Sequence, residues 1–223
     1  MIVAIDGPAA SGKSTVARAL AARLGAHYLD TGAMYRTLAY AATVRGVPLD
    51  DEALVARLAE RIEIDFCHAD GSPTPTAVLL DGEDVTAAIR TPAADEAVSV
   101  VARLPRVRAA MVAQQRRAAS AGETIVLEGR DIGTVVFPDA EVKVFLTASA
   151  EERARRRHAE MSERGHALER EAVRDGLERR DFADISRETG PLTPAPDAVM
   201  VDTTGMTIDE VVEYVAALAE RHR

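Results

Sequence analysis

The sequence predicts an α/β fold in which a parallel β-sheet is flanked by helices. Short apolar runs, for example at 2–5 and 124–127, alternate along the chain with longer segments of helical periodicity. Continuous apolar runs of this length are typical of strands buried on both faces of a parallel sheet. The 223 residues suffice for one core, and no long linker divides them, so we expect a single domain over 1–223.

The first predicted strand, 2–5, leads directly into a glycine-rich loop. Its sequence is Gly7-Pro8-Ala9-Ala10-Ser11-Gly12-Lys13-Ser14-Thr15, which fits the pattern G-x-x-x-x-G-K-[ST] of a phosphate-binding loop, or P-loop. A helix is predicted next, with Val16, Leu20 and Leu24 on one face. In this order the loop N–H groups and the positive helix N-terminus can surround a polyphosphate such as that of ATP.

Lys13 is one of only two lysines in the chain, which has twenty-five arginines. A lysine at this position indicates a phosphate contact, because its flexible ammonium can follow the β- and γ-oxygens where a planar guanidinium would not fit. The adjacent Ser14 offers a hydroxyl to Mg²⁺. The loop therefore predicts ATP and magnesium as cofactors.

Residues 62–90 are predicted to form a small antiparallel insertion. Apolar and polar residues alternate over 62–67, which is the periodicity of a strand. Asp81-Gly82 lies between two further strand-like runs, 76–80 and 83–86, and is typical of a tight hairpin.

The other helices are predicted from residues that cap a first turn. Ser149-x-x-Glu152 and Thr207-x-x-Glu210 fit the capping-box pattern. After the second box, an apolar stripe runs along one helix face and includes Ile208. In chain order, the first of these helices ends near 45 and the second is capped by Asp50 and reaches 61. Two more begin at Thr91-Pro92 and at Pro105, and the last three follow Ser149, cover 168–187 and follow Thr207. Further strands are predicted at 124–128, 142–146 and 198–201.

Composition and charge exclude several classes of function. The net charge of −9 argues against nucleic acid or anionic membranes as partners. No apolar run is long enough to span a bilayer, and no export signal follows Met1. A single cysteine, Cys67, excludes an internal disulfide and suits a reducing compartment. We expect a cytoplasmic monomer.

Three classes of P-loop protein compete at this point: a small-molecule kinase, a GTPase switch and a partner-driven ATPase. The chain contains no asparagine, so the guanine-reading motif N-K-x-D is absent. A motor ATPase usually has a strand that ends in an acidic pair, whereas Gly129 follows Glu128 here. Residues 151–187 carry ten arginines and ten acidic residues, which fits either solvated helices or the lid of a kinase.

Longer motifs decide among these classes. Eight stretches closely resemble bacterial cytidylate (CMP) kinases, and the resemblance extends from residue 2 to the end of the chain and includes the 62–90 insertion. Apart from the P-loop they are 29–36 (LDTGAMYR), 81–86 (DGEDVT), 89–91 (IRT), 105–108 (PRVR), 128–140 (EGRDIGTVVFPDA), 149–154 (SAEERA) and Arg180-Asp181.

The resemblance implies transfer of the γ-phosphoryl group of ATP to CMP or dCMP. The alternatives are another acceptor such as UMP, or a partner-driven ATPase. Cytosine presents an amino donor beside two acceptors, so a carboxylate and guanidinium groups can read it. Asp131 is therefore expected to accept from the cytosine amine; the alternative is that it only orients Arg130.

The resemblance also assigns roles to residues across the chain. Glu128 either reaches the metal through water or is structural. The residues expected to act in phosphoryl transfer are Lys13, Arg130, Arg153, Arg157 and Arg180; the last three neutralise the transferring phosphoryl group, and 151–187 acts as a helical lid. Arg36 and Arg130 are expected to bind the acceptor phosphate, and Ser14 to bind the metal. The residues expected to contact the nucleoside are Ser99, Arg108, Asp131 and Arg187 for the base and Thr31, Arg180 and Asp184 for the sugar.

Overall fold

The structure is a computed structural model that describes residues 1–68, 75–119, 123–163, 165 and 169–222. Strands and helices alternate along most of the chain, as predicted. In order they are β1 (Ile2–Asp6), α1 (Lys13–Leu24), β2 (His27–Asp30), α2 (Thr31–Val44), α3 (Glu52–Arg61), β3 (Ile64–His68), β4 (Pro75–Leu80), β5 (Glu83–Asp84), α4 (Pro92–Val101), α5 (Pro105–Ala118), β6 (Ile125–Gly129), a π-helix (Ile132–Val136), β7 (Val142–Thr147), α6 (Ala150–Glu163), α7 (Arg170–Ile185), β8 (Val199–Asp202) and α8 (Ile208–Glu220).

The central sheet has five parallel strands in the order β2-β6-β1-β7-β8. Its register places Asp6 beside Gly129 and Asp30 beside Glu128. The P-loop, the start of α2 and the segment after β6 therefore all leave the sheet at the same edge. Ligands of open parallel sheets bind at this carboxyl edge.

The two faces of the sheet pack against different helices because side chains of a strand alternate between faces. On β1, Val3 and Ile5 are fully buried in a core with α1 and α8. Between them, Ala4 belongs to the opposite core, which includes α2, α3 and α5. Helices on both faces of a parallel sheet confirm the predicted fold class.

The predicted antiparallel insertion is confirmed as the three-stranded sheet β3-β4-β5. Val78 and Leu80 of β4 are buried in the same core as Leu38 of α2. The insertion is thus packed onto the main core and forms one wall above the carboxyl edge. Residues 69–74, between β3 and β4, lie outside the described part of the chain.

The predicted cap of α3 and the predicted start of the α8 apolar stripe need correction. Asp51 caps α3 in place of Asp50, because its carboxylate accepts from the Leu54 N–H at 2.9 Å. Ile208 is 51% exposed, so the apolar stripe of α8 begins at Val211. The capping box at Thr207 is complete.

The capping box predicted at Ser149 is only half formed. Ser149 Oγ accepts from the Glu152 N–H at 3.2 Å, as predicted. The Ser149 N–H, however, donates to Thr204 Oγ1 at 2.8 Å. The Glu152 carboxylate accepts from Arg155 and Arg156 instead, since both guanidinium groups lie one turn along the same helix.

A π-helix after β6 was not predicted, and a buried carboxylate holds it. Asp6 accepts from the N–H groups of Ile132 and Gly133, each at 2.8 Å. Burial raises the pKa of Asp6 to about 6, against the lowering effect of these hydrogen bonds. Asp6 thereby fixes the backbone immediately after Arg130-Asp131.

The second lysine of the chain, Lys143, makes structural contacts. Lys143 of β7 is buried, and its Nζ donates to Asp197 at 2.7 Å and to the Pro138 carbonyl. Within the part of the chain that the structure describes, none of the helices combines the length and apolar character needed to cross a bilayer.

Candidate active site

A cleft of about 740 Å³ opens at the carboxyl edge of the central sheet. The P-loop, α2, α4, α6 and α7 form its walls together with strand β4 of the insertion. Most of the predicted site residues line it: Ala9, Ala10, Ser11, Gly12, Lys13, Ser14, Thr15, Thr31, Arg36, Ser99, Arg108, Arg130, Asp131, Arg157, Arg180, Asp184 and Arg187. Gly7, Pro8 and Arg153 are absent from the described lining.

The backbone of the P-loop explains its two glycines. Gly12 has φ +93°, in a region that L side chains rarely adopt, and it leads directly into α1. At Gly7 a Cβ atom would lie 2.2 Å from the Leu146 carbonyl oxygen, so only glycine fits against β7. These constraints place the first N–H groups of α1 at the floor of the cleft.

Lys13 is buried at this floor, and its Nζ donates to the Pro8 carbonyl at 2.9 Å. Burial lowers the pKa of Lys13 to about 7, and the nearby charge of Arg130 lowers it further, while Glu128 opposes the decrease. Burial also raises the pKa of Glu128, whose Oε1 accepts from the Tyr28 hydroxyl at 2.7 Å. Without nucleotide, Lys13 is therefore easily deprotonated.

This pKa predicts proton uptake when a polyphosphate binds. Phosphate charge favours the ammonium form, so the pKa of Lys13 rises in the complex, and affinity falls as the pH rises above about 7. Calorimetry of ADP binding near pH 8, in buffers of different ionisation enthalpy, measures the uptake. We expect wild type to take up more protons than Lys13→Met; equal uptake would show that Lys13 is not the group that titrates.

Arg108 and Asp131 form a buried ion pair in the wall of the cleft. The Arg108 side chain is 2% exposed and its Nη2 donates to Asp131 Oδ2. The guanidinium also lies 5.8 Å from the ring centre of Tyr35. Ser99 of α4 lines the same cleft. The four residues predicted to read a base, Ser99, Arg108, Asp131 and Arg187, thus line one cleft.

Arg130 has a different carboxylate partner. Its Nε donates to Asp184 Oδ2 at 2.7 Å, and its Nη1 donates to the Gly7 carbonyl at 3.0 Å. Burial alone would raise the pKa of Asp184, but the charges of Arg130 and Arg187 outweigh it and lower this pKa. The alternative that Asp131 orients Arg130 by a salt bridge is therefore wrong, because the partner of Asp131 is Arg108.

The arginines of the predicted lid face two directions. Arg157 lines the cleft and donates to Asp95 at 2.5 Å and to Glu160 at 2.9 Å. Arg153 instead donates to Asp181 and, at 3.2 Å, to the Ala9 carbonyl, so it ties α6 to the outer side of the P-loop. In this arrangement Arg153 is not among the described residues that line the cleft, and its role in phosphoryl transfer stays a prediction.

Comparison with known proteins identifies the family. A model of the cytidylate kinase family matches residues 3–221. The chain belongs to the cytidylate kinase family. A cytidylate kinase from Pelotomaculum thermopropionicum is 50% identical over 96% of this chain and 94% of its own length. Another from Geobacillus kaustophilus is 51% identical over 96% of this chain and 93% of its own.

A solved structure supports the fold independently. An uncharacterised protein from Eubacterium ventriosum superposes with a TM-score of 0.52 at 12% identity, over 99% of this chain and 98% of that one. Family membership confirms that the chain is an ATP-dependent kinase of the P-loop fold, and nothing in the comparisons favours a GTPase or a partner-driven ATPase.

Several residues of this cytidylate kinase cleft were not predicted from the sequence. Arg156 donates to the Ser11 carbonyl at 3.3 Å and to Thr203 Oγ1 at 2.9 Å, so it joins α6 to the P-loop and to the segment after β8. Asp30 caps α2 and pairs with Arg36 at 3.0 Å. Asp95 pairs with Arg157. The motif at 29–36 contained a signal for Asp30; the other two had none beyond their charge.

Proposed function

We propose that this enzyme transfers the γ-phosphoryl group of ATP to CMP or dCMP with the help of Mg²⁺, giving ADP and CDP or dCDP. One observation supports this acceptor above all: the P-loop lysine and the buried Arg108–Asp131 pair line a single cleft. The first suits a polyphosphate, and the second suits the edge of cytosine, which needs an acceptor for its amine and donors for N3 and O2.

Catalysis in this cleft is positioning and charge neutralisation, because donor and acceptor are both anions. Lys13 binds the β- and γ-phosphates from the floor. Arg36 and Arg130 grip the acceptor phosphate; the carboxylates of Asp30 and Asp184 hold these guanidinium groups in place without nucleotide. Their planar forks suit bidentate contacts to phosphate oxygens.

Mg²⁺ fits the donor set around the start of α1. Among the described residues, no group of three or more His, Cys, Asp or Glu side chains could hold a metal alone. Kinase Mg²⁺ usually has one or two protein ligands, with substrate phosphates and water completing the shell. The Ser14 hydroxyl is the expected ligand, and the ion would neutralise charge on the β- and γ-phosphates. The Glu128 carboxylate accepts a hydrogen bond from the Tyr28 hydroxyl and interacts electrostatically with Lys13. It therefore helps to position the residues at the floor of the cleft.

The helices α6 and α7 cover most of residues 151–187 and form the lid of the proposed kinase. Arg157 and Arg180 line the cleft from these helices, which supports a role for both in neutralising the transferring phosphoryl group. The contact proposed for Arg153 requires α6 to move, since this side chain faces Asp181 here. Asp184 and Thr31 also line the cleft, which supports the sugar contacts proposed for them.

A coupled assay of ADP release across the nucleoside monophosphates tests the proposed acceptor. We expect turnover with CMP and dCMP, much less with UMP, and none without an acceptor. Steady hydrolysis without acceptor would contradict the kinase mechanism. Turnover with UMP at the rate of CMP would contradict the role given to the Arg108–Asp131 pair. Omitting Mg²⁺ is expected to abolish turnover in all cases.

The proposed enzyme acts as a monomer in the cytoplasm. The single cysteine, Cys67, is free and exposed, which suits a reducing compartment. Sedimentation analysis of the purified protein tests the oligomeric state.

A further inference from the structure

Asp95 lies where the helix α4 meets both helices of the proposed lid. Arg157 of α6 donates to Asp95 Oδ2 at 2.5 Å. Arg180 of α7 has its Nη1 3.7 Å from Asp95 Oδ1. The three side chains are between 21% and 29% exposed, so all are within reach of a ligand in the cleft. One carboxylate thus joins three helices at an accessible point.

This carboxylate faces the proposed acceptor side of the cleft. Ser99 lies one turn further along α4, and its hydroxyl donates to the Asp95 carbonyl at 3.1 Å, so both residues occupy one face of the helix. Burial would lower the pKa of Arg36, but Asp30 and Asp95 outweigh it and raise this pKa. Asp95 therefore belongs to the electrostatic environment expected for a substrate phosphate.

The negative charge of Asp95 offsets part of the positive charge of neighbouring guanidinium groups. Burial lowers the pKa of Arg180 to about 10, and the neighbouring charge of Arg130 adds to this decrease, while Asp95 opposes it. Arginines gathered for phosphate need counter-charges when no nucleotide is bound. Asp95 is such a counter-charge for both Arg157 and Arg180.

We propose that Asp95 takes the place of a substrate phosphate between Arg157 and Arg180 in the nucleotide-free enzyme, and that nucleotide displaces it. Asp95 is then a positioning residue that holds α6 and α7 against α4 until substrate binds. The inference rests on the proposed function, because it concerns two arginines assigned there to the phosphoryl group.

The displacement has a definite thermodynamic sign. A carboxylate and a phosphate held by the same two guanidinium groups repel each other, so the bound state favours release of Asp95. A contact that exists only in the free enzyme opposes binding by its own free energy. Removing the charge of Asp95 should therefore loosen the free lid and tighten nucleotide binding.

The first measurement is hydrogen exchange of the α6 and α7 amides in the full-length protein. Asp95→Asn keeps the shape and removes the charge, and Glu96→Gln on the exposed side of α4 is the matched control. Without nucleotide, we expect several-fold faster exchange in Asp95→Asn than in wild type and Glu96→Gln. With CMP and ADP bound, the three proteins should be equally protected. Equal exchange without ligand would overturn the proposal.

The second measurement is the dissociation constant of ADP and of CMP, by calorimetry. Two partly exposed ion pairs predict roughly three- to tenfold tighter binding of one or both nucleotides to Asp95→Asn, and no change for Glu96→Gln. Weaker binding, or a kcat reduced tenfold at unchanged affinity, would mean that the contact of Asp95 with the two arginines persists during transfer. Either result would overturn the proposed displacement of Asp95 by nucleotide. A wild type that cannot phosphorylate CMP would refute the proposed function instead, and the ligand-free exchange data would still report on Asp95.

Discussion

Replacing Lys13 by methionine is expected to lower kcat by about a hundredfold or more. The ammonium gains interaction energy as charge shifts off the γ-phosphate, so its loss raises the barrier more than it weakens binding. Lys13 is buried at the floor of the cleft, where the low dielectric strengthens this contact. Steady-state kinetics with ATP and CMP measure the effect.

The second lysine provides the matched comparison. Lys143→Met removes a buried ammonium that donates to Asp197 and Pro138, so it should lower the melting temperature. Lys13→Met should leave the melting temperature nearly unchanged, since methionine fills similar space and a costly buried charge is removed. A Lys13→Met enzyme with near-normal kcat and weakened ATP binding alone would contradict the catalytic role.

Replacing Asp131 is expected to damage base selectivity and stability together. Asp131→Ala should lower kcat/KM for CMP by roughly 10- to 100-fold, while UMP, which presents an acceptor where cytosine has its amine, loses less or gains. The variant also leaves Arg108, 2% exposed, without its counter-charge. Breaking a buried pair in this way costs about 3–5 kcal/mol. Thermal unfolding and kinetics below the lower melting temperature measure both effects.

The two effects can be separated. In the double variant Arg108→Met/Asp131→Ala no unpaired charge stays buried, so much of the stability should return while the CMP/UMP ratio stays low. Asp139→Asn, in the exposed end of the same segment, is the control for a lost charge. An unchanged CMP/UMP ratio in Asp131→Ala would leave Asp131 as a structural partner of Arg108 and remove its role in base recognition.

Much of the fold was predictable because its signals are local. The P-loop follows from nine consecutive residues, since glycine at 7 and 12 permits the backbone that a phosphate requires. Four of the five core strands and the Asp81-Gly82 hairpin likewise follow from short runs, whereas β2 was not predicted. Capping was harder to place: at Ser149 the pattern was correct, but a contact from the distant Thr204 replaced half of it.

The partners of charged residues were decided by tertiary structure alone. Asp131 stands next to Arg130 in sequence, yet it pairs with Arg108 of α5, and Arg130 pairs with Asp184 of α7. Adjacent side chains on an irregular segment point in different directions, so sequence neighbours seldom meet. Arg153 and Arg157 lie one helical turn apart, but one faces Asp181 and the other faces Asp95.

The sequence by itself determined the family, the phosphate loop and most of the residues that line the cleft, because each is encoded by residue types at fixed short spacing. Tertiary structure decided which carboxylate neutralises which arginine, why the chain has a second lysine and how Asp6 shapes the π-helix. Asp6 and Ile132 are 126 positions apart, Lys143 and Asp197 are 54 apart, and the geometry of these contacts depends on how the elements pack across the sheet. Long-range electrostatic pairing of this kind exists only once the core has brought the elements together.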